Sequence, residues 1–201
     1  MPRLLLATTN RGKAAEYGDL LKGLDFELVT LDQVGINQEA PEDYSTFEEN
    51  ARSKAEFYSA LSGHITLADD SGLEVDALGG EPGIRSSRYA GDNASDADRV
   101  NFLLDKLSGI LCESRGARFR CVIAVAVPGS STKTFEGECR GCIAVTPRGE
   151  NGFGYDPVFY LPEYGKTIAE VTSELKNEIS HRGRAAQKAR PLLESLSGNS
   201  Q

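Results

Sequence analysis

The chain has 201 residues, 39% of them hydrophobic and 26% charged, a composition that excludes disordered, fibrous and membrane-embedded classes. A core of this size can hide roughly 70% of the surface an unfolded chain exposes, so no covalent staple is needed. The formal charge of -8 argues against a nucleic-acid partner, which selects a basic face, but leaves room for a small polyphosphate held by local cations and a metal.

The opening Met1-Pro2-Arg3-Leu4-Leu5-Leu6-Ala7-Thr8 is too short an apolar run for a signal peptide, and no stretch approaches a membrane span. Four cysteines without a secretory signal predict free thiols in the cytoplasm. Arg3 to Ala7 is a short buried strand, followed by a helix near Gly12 to Leu21 and a second strand at Phe26 to Thr30. Thr46-Phe47-Glu48-Glu49 has the form of a capping box, opening a helix that runs to about Leu61. Ile65 to Ala68 reads as an interior strand that stops at the turn-forming Asp69-Asp70-Ser71-Gly72. Ser95 and Asp98 cap a further helix whose Val100, Leu103, Leu104 and Leu107 face inward. Phe119 to Val127 and Thr132 to Val145 are two long strands joined by Pro128-Gly129, hence antiparallel. Helical composition resumes at Ser180, with Pro191 expected to kink or break it. The fold class is α/β, a mixed sheet covered by helices. Residues 1–196 form one domain and 197–201 a flexible tail.

Thr8-Thr9-Asn10-Arg11-Gly12-Lys13 joins a strand to a helix N-terminus, where free amides and the helix dipole attract anions and Lys13 adds a point charge. It lacks the glycine and hydroxyl positions of a Walker loop, and a capped turn with a surface lysine accounts for it equally well. Adjacent Asp69 and Asp70 repel each other and are costly to desolvate unless a divalent cation joins them. One carboxylate on a metal leaves the other to orient water; the plainer alternative is a solvated turn. Glu39-Ala40-Pro41-Glu42-Asp43 offers a further metal ligand or merely a solvated acidic loop. Phe153-Gly154-Tyr155-Asp156-Pro157 sets two rings and a carboxylate beside flexible backbone, suited to stacking on a base or to a tight turn with core rings. His181 and Arg182, with Lys176 shortly before, offer donors that pair with a 6-oxo purine and not with a 6-amino group, or simply form a polar helix start. Cys139-Arg140-Gly141-Cys142 is rejected as a zinc or redox motif, since strand spacing sends the thiols to opposite sides.

In order along nearly the whole chain, these segments resemble the inosine triphosphate pyrophosphatase family. The resemblance rests on Thr8-x-Asn10-x-x-Lys13, Glu42 before Thr46-Phe47-x-Glu49-Asn50-Ala51, and Ala68-Asp69-Asp70-Ser71-Gly72-Leu73. It continues in Gly79-Gly80-x-Pro82-Gly83, Ser87-Arg88-Tyr89, Phe153 to Pro157, Lys176 and Ser180-His181-Arg182. It implies a long curved mixed sheet in two lobes with the site in the cleft, a homodimer, and Mg2+-dependent hydrolysis of ITP, dITP and XTP to a monophosphate and pyrophosphate. In that scheme Glu42 and Asp70 hold the metal and Asp70, helped by Asp69, activates water. Thr8, Thr9, Asn10, Arg11, Gly12 and Lys13 form the phosphate motif, Ser71 binds substrate, and Phe153, Gly154, Tyr155, Asp156, Lys176, His181 and Arg182 hold the nucleotide. A pyrophosphatase of the Maf type and a non-hydrolysing nucleotide sensor are the rival readings.

Overall fold

The computed structural model describes residues 1–198; residues 199–201 of the expected tail lie outside the described residues, while Ser197 and Gly198 end the last helix. The apolar run Leu4-Leu5-Leu6 forms most of strand β1 (Arg3–Leu6), with all three side chains buried, as a strand covered on both faces demands. It lies between β2 (Glu27–Thr30) and β3 (Ile65–Val75) and runs parallel to both. Helix α1 (Arg11–Leu20) connects β1 to β2, and α2 (Phe47–Ser62) precedes β3. After α3 (Asp96–Lys106) come β4 (Gly116–Ala126) and β5 (Lys133–Ile143), whose connection at 127–132 is too short for a parallel crossover. Short strands β6 (Phe159–Leu161) and β7 (Lys166–Thr167) continue antiparallel from β5, and α4 (Ser173–Ile179) and α5 (His181–Gly198) close the chain. The result is a mixed seven-stranded sheet, order β2-β1-β3-β4-β5-β6-β7, flanked by helices. Among the described residues no helix is long and apolar enough to cross a membrane.

Two compact units are distinguishable within the chain. The first comprises Met1–Asp70, Cys121–Gly137 and the chain from Arg182 on. Its core gathers Leu4, Leu6, Tyr17, Leu21, Leu67, Ile123, Ala185 and Leu193. The second comprises Ser71–Arg120 and Glu138–His181, with a core that includes Leu73, Val100, Leu103, Phe119, Tyr155 and Phe159.

Three expectations are corrected. Strand β3 does not stop at Ala68 but runs through Asp69-Asp70-Ser71-Gly72 to Val75, because each aspartate finds charged or polar partners that make strand geometry tolerable. Helix α5 continues across Pro191. The proline lies on the exposed side, where a missing backbone bond costs least, while Ala185, Ala186, Ala189 and Leu193 bury the other side. Thr46 caps α2 through the Glu49 amide at 3.1 Å, but the Glu49 carboxylate accepts from the Thr46 hydroxyl at 2.8 Å rather than from its backbone. Full capping boxes stand at Ser95 and Asp98 before α3, and at Thr167 and Glu170.

Candidate active site

Register places the acidic pair. Leu6 of β1 pairs with Leu67 of β3, and the Ala7 amide donates to the Leu67 carbonyl at 2.8 Å. Asp69 and Asp70 therefore stand just past the carboxyl end of β1, the end of a parallel strand at which ligands collect. Successive strand residues point to opposite faces, so the two carboxylates have separate surroundings.

Asp69, on the Leu67 side, is buried at 2% exposure. Its Oδ2 meets Lys13 Nζ at 2.8 Å and Arg182 Nε at 3.8 Å, and the Cys121 thiol lies 3.8 Å away. Burial alone would push this carboxyl up, but Lys13, then Arg182 and Lys54, outweigh it and hold Asp69 well below the usual carboxylate range. Arg182 is also buried and pairs with Glu16, its guanidinium 6.0 Å from the centre of the Tyr17 ring. A permanently charged guanidinium without solvent needs such carboxylates.

Asp70, on the other face, accepts from Asn50 Nδ2 at 3.1 Å. Burial pushes its carboxyl up; Lys54 and Lys13 oppose this, and the charges of Asp69 and Glu42 add to it. Lys54, one turn after Asn50 on α2, donates to the Asp69 carbonyl at 3.2 Å and pairs with Glu42. Burial would lower the Lys54 pKa, but Glu42, Asp69 and Asp70 together raise it. Glu42, Asp70, Lys54 and Lys13 thus share one electrostatic neighbourhood. Asn50 and Lys54 were missed as functional candidates; their spacing on one face of a helix that follows an acidic loop was the available signal.

The phosphate-type turn is capped as the sequence suggests. Asn10 is the N-cap of α1, its Oδ1 accepting from the Lys13 amide at 3.0 Å, and the Thr8 hydroxyl accepts from the Asn10 amide at 3.2 Å. Thr9 and Arg11 are exposed, Gly12 is half-buried, and Ser71 follows Asp70 on β3.

In the second unit the turn at 153–156 is built around Asp156, 4% exposed. Its Oδ2 accepts from the Phe153 amide at 2.9 Å and from Lys176 Nζ at 2.6 Å. Lys176 lies 5.0 Å from the centre of the half-buried Phe153 ring. Gly152 is obligatory: φ is 78°, and a Cβ would come within 2.1 Å of Asp156 Oδ2. The Gly154 amide donates to Asp96 at 2.6 Å.

Tyr155 lies in the same turn. The side chain belongs to the core, and its hydroxyl donates to the Ser86 carbonyl at 2.9 Å. His181 is buried and stacks on Phe119, centroids 4.6 Å apart and planes at 12°. Arg182, the next residue, has other partners. Its guanidinium goes to Asp69 and Glu16, since neighbouring residues on a helix diverge by about 100°.

Among the described residues no group of three His, Cys, Asp or Glu side chains forms a ready metal cluster. Cys112, Cys121, Cys139 and Cys142 form no disulfide, and Cys139 is buried on β5. What the first unit offers is two oxygen-donor carboxylates, two lysines and a helix N-terminus, a set able to manage an anionic ligand together with a hard cation.

Comparison with known proteins agrees. The Ham1 family pattern matches residues 4–192. The dITP/XTP pyrophosphatase of Bacillus subtilis is 46% identical over 96% of this chain and 98% of its own length. That of Geobacter sulfurreducens is 50% identical over 92% and 93%. The solved Ham1 protein structure from Coxiella burnetii superposes with a TM-score of 0.87 at 41% identity, covering 97% of this chain and all of that one. The Staphylococcus aureus Ham1 protein gives 0.86 at the same identity over 96% and 99%. With the pattern spanning both units, the chain belongs to the Ham1 family.

Proposed function

We propose that this protein hydrolyses the deaminated purine nucleotides ITP, dITP and XTP to the nucleoside monophosphate and pyrophosphate, clearing them from the nucleotide pool. The family and the activity named for its near full-length relatives support the reaction class. The observation that carries the chemistry is the placement of Asp70 beside Asn50 and within the fields of Lys54, Lys13 and Glu42.

The residues fit a divalent cation, which we assign as Mg2+. Glu42 and Asp70 are hard oxygen donors, and a cation offsets the burial and, after it, the like charges that raise the Asp70 pKa. Magnesium is commonly held by one or two carboxylates plus phosphate and water, which agrees with the lack of a complete protein cluster among the described residues. When bound, the ion polarises phosphoryl oxygens and neutralises charge that develops on them. Asp70 accepts a proton from the attacking water, with Asn50 fixing the carboxylate. Lys13 and the α1 amides behind Asn10 receive the anionic phosphates. Asp69 serves as the anchor that aims Lys13 and Arg182, since a carboxylate so strongly held in its charged form is a poor proton acceptor. Phe153 stacks on the base, with Asp156 and Lys176 holding its turn, and His181 donates to the 6-oxo group. The chain acts in the cytoplasm as a homodimer and has no nucleic-acid partner.

The test is pyrophosphate release from ITP, XTP, GTP, ATP, CTP and UTP by purified protein, with and without magnesium. Magnesium-dependent release from ITP and XTP, well above that from ATP, is expected. Turnover of pyrimidine nucleotides alone, or none at all, defeats the reading.

A further inference from the structure

The Phe153 turn is held from two directions, and only one hold lies within its own segment. The Phe153 amide donates to Asp156 at 2.9 Å, and Asp156 is fixed in turn by Lys176 at 2.6 Å. The next amide, of Gly154, donates to Asp96 Oδ2 at 2.6 Å, from a residue 58 positions earlier. Gly154 has φ of 63°, a backbone conformation that favours glycine. Asp96 is the first residue of α3, just behind the capping box of Ser95 and Asp98, where the helix dipole favours a carboxylate. Its other oxygen pairs with Arg99. Arg99 also donates to the Ala94 carbonyl at 2.6 Å and the Ser87 carbonyl at 2.9 Å, tying in the segment that holds Ser87-Arg88-Tyr89. One carboxylate therefore links the start of α3, the 3-10 segment Gly83–Arg88 and the Phe153 turn.

We propose that Asp96, locked by Arg99, is a positioning residue for base recognition: it fixes the Gly154 amide and thereby the pose of the Phe153 ring. This rests on the reading of Phe153 as the base-stacking side chain. Asp96 does not touch substrate and takes no part in bond breaking, so its loss loosens the ring without disturbing the phosphate-handling residues. The Asp96 side chain is 46% exposed, and α3 keeps its Ser95 cap without it, so the fold survives substitution.

The experiment compares wild type, Asp96→Ala, Asp96→Asn and Phe153→Ala for kcat and KM with ITP and ATP, alongside thermal unfolding. Asp96→Ala is expected to raise KM for ITP about tenfold, the worth of one charge-assisted hydrogen bond. It should leave kcat within about twofold and lower the ITP-to-ATP preference. Asp96→Asn, whose amide oxygen still accepts from Gly154, should recover most of the KM. An elevated KM in Phe153→Ala with an unchanged KM in Asp96→Ala overturns the positioning role and leaves the base-stacking reading intact. Unchanged KM in both variants overturns the stacking reading and the inference with it. A fall in Tm and kcat together with a raised KM in Asp96→Ala, with no rescue by Asn, marks a purely structural residue and also overturns the inference.

Discussion

Neutralising the two adjacent aspartates one at a time should give opposite phenotypes. Asp69→Asn removes the counter-charge of Lys13 at 2.8 Å and of Arg182 at 3.8 Å while Arg182 stays buried. Breaking a buried pair by deleting one partner costs about 3–5 kcal/mol. Arg182 keeps Glu16, and Lys13 retains some access to water, so the lower end applies, about 3 kcal/mol. At roughly 2–4 °C per kcal/mol for a chain of this size, Tm falls by about 6–12 °C. Asp70 is the reverse case: burial raises its pKa, so the fold is burdened by its charge, and Asp70→Asn should leave Tm unchanged or slightly higher. The pH dependence of both effects has a defined sign in metal-free protein. The Asp69 pKa is depressed, so its stabilisation is complete above its ordinary value of 3.8 and is lost as pH falls toward the folded value. The Asp70 pKa is raised, so its burden is present at neutral pH and vanishes below 3.8, where folded and unfolded states are both protonated. The rates should diverge too. Asp70→Asn loses about 10²–10⁴ in kcat as a missing general base, whereas folded Asp69→Asn loses about tenfold through a misaimed Lys13. Thermal unfolding by circular dichroism and initial rates of pyrophosphate release from saturating ITP measure both quantities. An Asp69→Asn protein as stable as wild type and as inactive as Asp70→Asn would refute the division of labour.

Gly152→Ala drives a methyl to within 2.1 Å of the Asp156 carboxylate at φ of 78°; it should cost about 2 kcal/mol or more, read as a fall in Tm, and raise KM for ITP. His181→Ala should shrink the ratio of kcat/KM for ITP over ATP by about tenfold or more, and an unchanged ratio removes the imidazole from base reading. The Cys121 thiol is pushed up to about 12 by burial and then by the Asp69 charge. At pH 8 it should resist alkylation until the protein unfolds, while exposed Cys112 reacts at once, as intact-mass spectrometry would show.

How far the site could be read from sequence depends on whether a residue's partners are local. The Ser95 cap and the β4–β5 hairpin are settled within a few residues of chain, and local chemistry predicted both. Asp69-Asp70-Ser71-Gly72 has the composition of a turn, yet it is strand, because Lys13, Arg182, Asn50 and Lys54 arrive from elsewhere in the chain to satisfy it. No window around residue 70 contains those partners, so propensity pointed the wrong way. In the acidic pair itself, adjacency misleads about teamwork. In a loop two neighbouring carboxylates can share one ion, whereas strand alternation sends one into the core and leaves the other beside Asn50. Arg182 follows the same logic. Its neighbour His181 stacks on Phe119, but a buried guanidinium is governed by where carboxylates lie, and those are Asp69 and Glu16. Asp69 accordingly supplies a fixed negative charge that ties Lys13 at the start of α1 to Arg182 at the start of α5, and for that reason the proposed proton acceptor is Asp70, whose pKa is raised.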